Sequence, residues 1–233
     1  MLDRKILIII PAYNEESNIE GVIRDIRNYF PEGDILVIDD CSKDGTVQLL
    51  KGMGVNYLSF INNLGIGAGV QAGYLYAYEK GYDIAVQFDG DGQHRAEYIE
   101  RLVRPIEESK ADYVIGSRFI ENEGFQSSMM RRAGIRFLSL LIKLLCGLNI
   151  MDVTSGMRAV NKTLIQKFAH DYAQDYPEPE AIVSASVKGS RIIEVPVRMR
   201  ERQGGKSSIN IVRSVYYMLK VSLALILCAK KDK

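Results

Sequence analysis

Two aspartates, Asp89 and Asp91, stand two residues apart at the end of an apolar run, Ile84-Ala85-Val86-Gln87-Phe88. Extended backbone would send both carboxylates to one side, because strand side chains alternate. Gly90 between them has no Cβ, so a ligand can approach the main chain there. Paired carboxylates suit a hard divalent cation, Mg2+ or Mn2+, which takes oxygen ligands and leaves positions for phosphate oxygens. Gln93 and His94 follow directly and could complete the shell. The competing reading is a polar turn, since Asp-Gly is a common turn dipeptide; the position after a strand favours the metal. Asp39-Asp40 ends a second apolar run in the same way. One of these carboxylates could accept a hydrogen bond from a base N–H or a ribose hydroxyl. Its rival is an Asx turn or helix cap ahead of Asp44-Gly45-Thr46.

Gly67-Ala68-Gly69-Val70-Gln71-Ala72 satisfies the G-x-G-x-x-G/A dinucleotide pattern, and Asp89 follows about twenty residues on. That fingerprint belongs in the first strand-to-helix turn, where this chain has Pro11-Ala12-Tyr13-Asn14-Glu15 and no glycine for a pyrophosphate to approach. A dehydrogenase is therefore disfavoured.

The elements that must hold these residues alternate. Apolar runs at 5–10, 34–39, 55–61, 83–88 and 112–116 predict strands, and amphipathic stretches at 15–29, 44–52, 67–80 and 95–109 predict helices between them. Such alternation implies a mostly parallel sheet covered by helices on both faces, the architecture of an α/β domain. Ligands of these sheets bind at the carboxyl ends of the strands, where the polar clusters lie. Farther on, 128–147 reads as a long apolar helix with a basic start at Arg131-Arg132, followed by a polar turn at 152–158, shorter helices and a strand at 191–195. The segment 209–229 is apolar but broken by Arg213 and Lys220. It lacks the run of about 18 or more apolar residues that spans a membrane, and predicts an amphipathic helix at a membrane surface or packed on the core. The expected division is a domain over 1–208 and this appended helix over 209–233.

Bulk properties narrow the class. With 30 basic and 29 acidic residues the chain has a net charge of +1, which argues against a nucleic-acid partner. A chain of 233 residues can bury roughly 70% of its unfolded surface without a staple. Cys41, Cys146 and Cys228 are far apart and form no CxxC, so they read as free thiols of a reducing compartment. The run into the first strand shows no signal-peptide pattern, which makes the cytoplasmic side the expected address.

Together, Pro11-Ala12-Tyr13-Asn14-Glu15, the run from Val37 to Thr46, Asn63-Leu64-Gly65, Asp89-Gly90-Asp91-Gly92-Gln93-His94 and Gly116-Ser117-Arg118 resemble the family 2 glycosyltransferases of GT-A (Rossmann-like) fold. Asp152-Val153-Thr154-Ser155-Gly156-Met157-Arg158-Ala159 and the basic stretch at 202–208 resemble the polyprenyl-phosphate subgroup, similar to dolichol-phosphate mannose synthase. The resemblance implies a nucleotide-diphosphate sugar donor, a polyprenyl phosphate acceptor and a peripheral position on the inner face of the membrane. A small integral-membrane partner or a second copy of the chain is a further expectation. It also implies roles. Pro11, Tyr13 and Glu15 would line the nucleotide pocket. Ile38 and Asp40 would hold the base, with Asp39 as a substitute. Asp89 would sit near ribose and metal, while Asp91 and Gln93 ligate the metal. Arg118 would contact donor or acceptor phosphate, and Arg202 the donor diphosphate. The subgroup's arginine loop often ends Gly-x-Ser-Lys, whereas Gly205-Lys206-Ser207-Ser208 ends in serine here, so Lys206 would act from two residues earlier.

Charge suggests the chemistry. Donor cleavage builds negative charge on the leaving diphosphate, which a divalent ion, Arg202 and Lys206 would stabilise without a proton donor. A lipid phosphate is already ionised and needs no base. Arg131 and Arg132 would hold that phosphate. A sugar hydroxyl would need a base, with Glu178, Glu180 and Asp152 as candidates; a binding subunit that performs no transfer is a third reading.

Overall fold

The computed structural model describes residues 4–121, 123–124, 129–201 and 211–231, with side chains over 218–230 in the last segment. Seven strands form one sheet: β1 (Ile6–Ala12), β2 (Asp34–Asp39), β3 (Asn56–Ser59), β4 (Ile84–Gln87), β5 (Tyr113–Ser117), β6 (Arg158–Asn161) and β7 (Ile192–Pro196). Their order across the sheet is β3-β2-β1-β4-β6-β5-β7. All neighbours run parallel except β6, which is antiparallel to β4 on one side and β5 on the other. The five expected strands of the first half and the expected strand at 191–195 are present, β2 with the expected bounds and the others with shifted ends. β6 is an addition, in the place where the sequence suggested a polar turn running to Arg158.

Alternation along β1 shows why helices cover both faces. Ile6, Ile8, Ile10 and Ala12 pack in one core layer with α1 (Ile19–Tyr29), α2 (Thr46–Met53) and α4 (Ile99–Glu107). Leu7 and Ile9 pack in the other layer. There they meet α3 (Ile66–Glu79), α5 (Met129–Cys146), α6 (Lys162–His170), α7 (Pro177–Val187) and α8 (Ile211–Lys231). Buried on both faces, the parallel strands need apolar residues at nearly every position, which is why they read as continuous runs. The three cysteines are free thiols. α8 lies against α7 and α5, burying Val221, Leu225 and Ala229. Among the described residues no helix is long and apolar enough to cross a membrane. The proposed boundary between 208 and 209 lies outside the described residues.

The first glycine of the dinucleotide-like pattern serves packing. Gly67 faces the backbone of Ala173 and Gln174 so closely that a Cβ would collide with it. Farther along α3, a Cβ on Gly73 would strike Ile9, itself fully buried in β1. These absences let α3 settle directly onto the sheet.

Gly73→Ala gains about 1 kcal/mol of helix propensity but overpacks a core that cannot yield, at a cost of about 1–3 kcal/mol. We expect a net loss of about 1 kcal/mol in urea unfolding. Gly21→Ala, exposed in α1 with nothing near its Cβ position, should instead stabilise by about 0.5–1 kcal/mol. Equal effects at the two positions would show that α3 does not rest on Ile9.

Candidate active site

The site lies at the carboxyl ends of β1, β2 and β4, where three loops converge. Two of them are stitched together by polar groups far apart in sequence. Asn14, in the left-handed region at φ 55°, donates its N–H to Ser42 Oγ (2.9 Å) and accepts the N–H of Lys43 at Oδ1 (2.8 Å). The N–H of Glu15 donates to Thr46 Oγ1 (3.0 Å), that of Glu16 to Asp44 Oδ2 (3.1 Å), and that of Gly45 to Glu16 Oε2 (3.0 Å). Burial opposes ionisation of Asp44, but hydrogen bonds from Thr46 and from the Glu16 N–H outweigh it and hold its pKa below the usual carboxylate value. Glu15 is buried and accepts from Asn18 Nδ2 at 2.7 Å.

Asp39 and Asp40 divide their duties. Asp39 accepts the N–H of Ser42 at 3.2 Å, an Asx-type turn bond. Asp40 accepts the N–H groups of Leu64 (2.7 Å) and Gly65 (2.8 Å), one on each carboxylate oxygen, and thereby anchors the loop that opens α3. A cavity of about 210 Å³ lies between these loops and is lined by Pro11, Tyr13, Glu15, Ile38, Asp40, Asp89, Gly90 and Asp91. Ala12, Gly65, Ile66 and Gly69 complete its wall. The sequence reading named the first eight; it missed Ile66 and Gly69 of α3, and Gly69 lay in the pattern that invited a different interpretation. Asp39 is not part of the wall.

Neither aspartate belongs to β4. β4 ends at Gln87, and a turn at Gly90-Asp91 follows directly after Asp89, so the strand stops where the sequence suggested it continued. Gly90 lies close under the Pro11 carbonyl, 3.1 Å from where a Cβ would stand. Asp91 Oδ1 accepts the N–H of Gln93 at 3.0 Å. Asp89 lies 3.4 Å from His94 Nε2 and 3.4 Å from Gln87 Nε2. Burial opposes its ionisation, but His94, Gln87 and the charge of Arg158 together hold its pKa below the ordinary value. His94 is only 2% exposed, edge-on to Phe88, so it lies behind Asp89 rather than open to a ligand. The Gln93 carbonyl accepts the N–H of Arg200 at 2.8 Å.

Among the described residues no group of three or more His, Cys, Asp or Glu is arranged to hold a metal. Two carboxylates beside one cavity nevertheless fit Mg2+ or Mn2+, which is often held by one or two carboxylates with substrate phosphates supplying further oxygens.

Beneath the aspartates lies a group with no assigned role in the sequence reading. Arg158 is fully buried at the start of β6. It donates to the carbonyls of Val153 (2.9 Å), Ser155 and Glu178 (2.6 Å) and to the Tyr113 hydroxyl. This fixes the turn before β6, whose Gly156 faces Asp89 so tightly that a Cβ would overlap the carboxylate. Burial pushes the pKa of Glu178 up, Arg158 draws it back, and the negative charge of Asp89 adds to the rise. Arg131 acts on Glu178 as well, which brings the start of α5 into the electrostatics of the site. Arg132 is half-buried in the same turn. Arg118, at the end of β5, is 5% exposed and grips Asp152 through Nε and Nη2, both at 2.6 Å. Asp152 is held in turn by Glu194, which accepts its N–H at 2.8 Å. Both carboxylate oxygens of Asp152 are thus engaged by Arg118, which sets Asp152 in an ion pair and not toward the cavity. Arg202 and Lys206 lie outside the described residues.

Comparison with known proteins fits this architecture. The fold is that of GT-A-like glycosyltransferases: glucosyl-3-phosphoglycerate synthase from Mycobacterium tuberculosis, in complex with phosphoglyceric acid, superposes with a TM-score of 0.74 at 19% identity over 97% of this chain and 80% of that one. More specifically, the family model "Glycosyl transferase family 2" matches residues 7–168, and the chain belongs to that family. UDP-N-acetylglucosamine–dolichyl-phosphate N-acetylglucosaminyltransferase of Methanococcus voltae is 32% identical over 218 residues, covering 85% of this chain and 86% of that protein. Undecaprenyl-phosphate mannosyltransferase of Micrococcus luteus is 31% identical over 215 residues, covering 88% of each. The chain is thus a family 2 glycosyltransferase whose curated relatives transfer sugars to polyprenyl phosphates.

Gly156→Ala tests the seat of Asp89. The added methyl must displace the carboxylate or the turn, and misplacement of about 1 Å costs up to about a hundredfold in rate. We expect kcat/KM for sugar transfer to fall by at least about tenfold in a protein that retains its circular dichroism spectrum. A folded variant with full activity would mean that Asp89 does not depend on this contact.

Proposed function

We propose that this enzyme is an inverting hexosyltransferase that moves a sugar from a UDP- or GDP-sugar to a polyprenyl phosphate at the cytoplasmic face of the membrane, to which it attaches peripherally. The observation that carries the reading is a cavity with Pro11, Tyr13, Glu15, Ile38 and Asp40 on its wall and Asp89 and Asp91 beside them. A nucleoside diphosphate spans such a distribution, base at the apolar end and phosphates at the carboxylate end. The acceptor class is supported by the two relatives whose names specify dolichyl and undecaprenyl phosphate.

In this reading Pro11, Tyr13 and Glu15 line the nucleotide, and Ile38 and Asp40 hold the base, with Asp39 as a substitute. Asp89 and Asp91 hold Mg2+ or Mn2+ together with Gln93. The solved complex of the Mycobacterium tuberculosis synthase with Mn2+, UDP and glucosyl-3-phosphoglycerate supports this choice of ion. When bound, the ion offsets the charge that develops on the leaving diphosphate. Arg202 and Lys206 add to that stabilisation; Arg200, two positions before Arg202, bonds to the Gln93 backbone. Arg118 would share its guanidinium between Asp152 and a phosphate. Arg131 and Arg132 offset repulsion between the acceptor phosphate and the donor diphosphate. The acceptor oxygen arrives ionised, so no general base enters the mechanism.

One observation favours a second reading, in which a sugar hydroxyl is the acceptor. Burial raises the pKa of Glu178 and the negative charge of Asp89 adds to the rise, and a carboxylate of raised pKa is a better proton acceptor.

Asp91→Asn is expected to abolish transfer in Mn2+ and weaken donor binding while leaving the fold intact. Full activity of the folded variant, or of the wild-type enzyme in excess chelator, would remove the metal from the mechanism. The acceptor class is read by Arg131→Gln with Arg132→Gln. Loss of charge-assisted bonds worth about 2 kcal/mol should lower kcat/KM for lipid phosphate about thirtyfold, with donor affinity little changed. Normal transfer to lipid phosphate by this double variant would make both arginines surface charge; equal loss of donor binding would assign them to the diphosphate.

A further inference from the structure

Two buried polar side chains converge on Asp89, one on each carboxylate oxygen. Gln87 Nε2 lies 3.4 Å from Oδ1, and His94 Nε2 lies 3.4 Å from Oδ2. Both distances are at the long end for an N–H···O bond, and such bonds in enzymes without ligand commonly tighten once it arrives. An ionised carboxylate only accepts, so Nε2 of His94 is the donor. Gln87 is fully buried and ends a strand whose other residues are Ile84, Ala85 and Val86. It shares its side of β4 with Ala85, which packs in the layer of α3. His94 packs instead on Phe88, in the layer of α1, α2 and α4. Asp89 is therefore reached from both faces of the sheet. Gly156 closes on it from a third direction. Neither side chain has a second polar partner among the described residues: Gln87 Oε1 and His94 Nδ1 make no hydrogen bond there. For packing alone, leucine or phenylalanine would fill these places without burying an unpaired polar atom. The residue types make sense through Asp89, at which each aims its donor.

We propose that Gln87 and His94 are positioning residues for sugar transfer, which fix both oxygens of Asp89 and so preset that carboxylate for a divalent ion. The inference rests on the metal reading given above and deepens it. Neither residue lines the donor cavity, so each acts through Asp89 and not on the ligand. His94 thus supports a metal ligand, where the sequence suggested it could be one. A carboxylate locked in place before the ion binds loses no rotational freedom when it does, which is the advantage of support from behind. Groups of this kind are worth about tenfold to a hundredfold in metal affinity. Asp91 is ordered differently, with Oδ1 accepting the N–H of Gln93 within its own loop. One carboxylate is fastened to the sheet and the other belongs to the turn beyond it.

Mn2+ binding by the intact chain with UDP, and in parallel with GDP, tests this without reference to turnover; free Mn2+ is read by electron paramagnetic resonance. Gln87→Leu should weaken Mn2+ binding at least about tenfold, while the thermal midpoint holds or rises because leucine suits the apolar strand. At position 94 two substitutions separate support from packing. His94→Gln keeps an N–H at the reach of Nε2 and should stay within about threefold of the wild-type affinity. His94→Phe keeps a ring against Phe88 but has no donor, and should weaken binding at least about tenfold. Packing alone would reverse that order, with phenylalanine tolerated and glutamine not, and this result would overturn the proposal. Should His94→Phe fail to fold, the Gln87→Leu result decides. Unchanged Mn2+ affinity in Gln87→Leu would also overturn it, as would equal loss of metal-free nucleotide binding in every variant, the sign of a collapsed pocket. Wild-type enzyme that takes up no Mn2+ with either nucleotide would strike the metal reading and this support together. Wild-type uptake that the variants share would strike the support alone.

Discussion

The buried guanidinium of Arg158 is the interaction around which the catalytic end is organised. An arginine with no exposed surface is costly unless its donors are satisfied and its charge is balanced. Here it bonds to three carbonyls and a tyrosine hydroxyl, and feels the charges of Glu178 and Asp89. These bonds join the turn at 153–155, the start of α7 and the middle of the sheet. Gly156 and Asp89 can meet without a gap because both are held from below. Loss of Arg158 alone would leave carbonyls and buried carboxyl groups uncompensated, so its removal would disturb several elements together.

The other half of the site depends on a different device. The loops after β1 and β2 are joined by five hydrogen bonds between residues 28 to 31 apart, and Asp40 ties the second loop to the start of α3. The proposed nucleotide wall is therefore set before any ligand arrives. Side chains that looked like ligand contacts serve one another as well: Asp40 holds backbone amides while it also borders the cavity.

The sequence was most legible where burial on both sides of the sheet forces a continuous apolar run, as in β1, β2 and β4. It was least legible where a partner supplies the structure. β6 has only Ala159 and Val160 between Arg158 and Asn161, too short a pattern to announce a strand, and it exists because β4 and β5 bond it from both sides. The turn at Gly90-Asp91 hid behind the preceding strand, although Asp-Gly is itself a turn signal. Gly67 and Gly69 matched a phosphate motif, yet Gly67 answers to the backbone at 173–174, which nothing local in the sequence reveals. Arg158 could have been noticed as a charge between Met157 and Ala159-Val160, but its partners lie 3 to 45 residues away.

The antiparallel insertion of β6 also orders events during synthesis. β3, β2, β1 and β4 pair with one another from residues that have all emerged by Gln87. β5 emerges next, yet it has no bond to β4; both wait for residues 158–161 to fill the space between them. Until then the free edge of β4 presents unpaired N–H and C=O groups, the kind of edge that recruits foreign strands. A ribosome adding about 5–20 residues per second covers the interval from Gln87 to Asn161 in roughly 4–15 seconds. For that time the first half of the sheet stands open beside its growing chain, and a chaperone acting on this protein would have its target there.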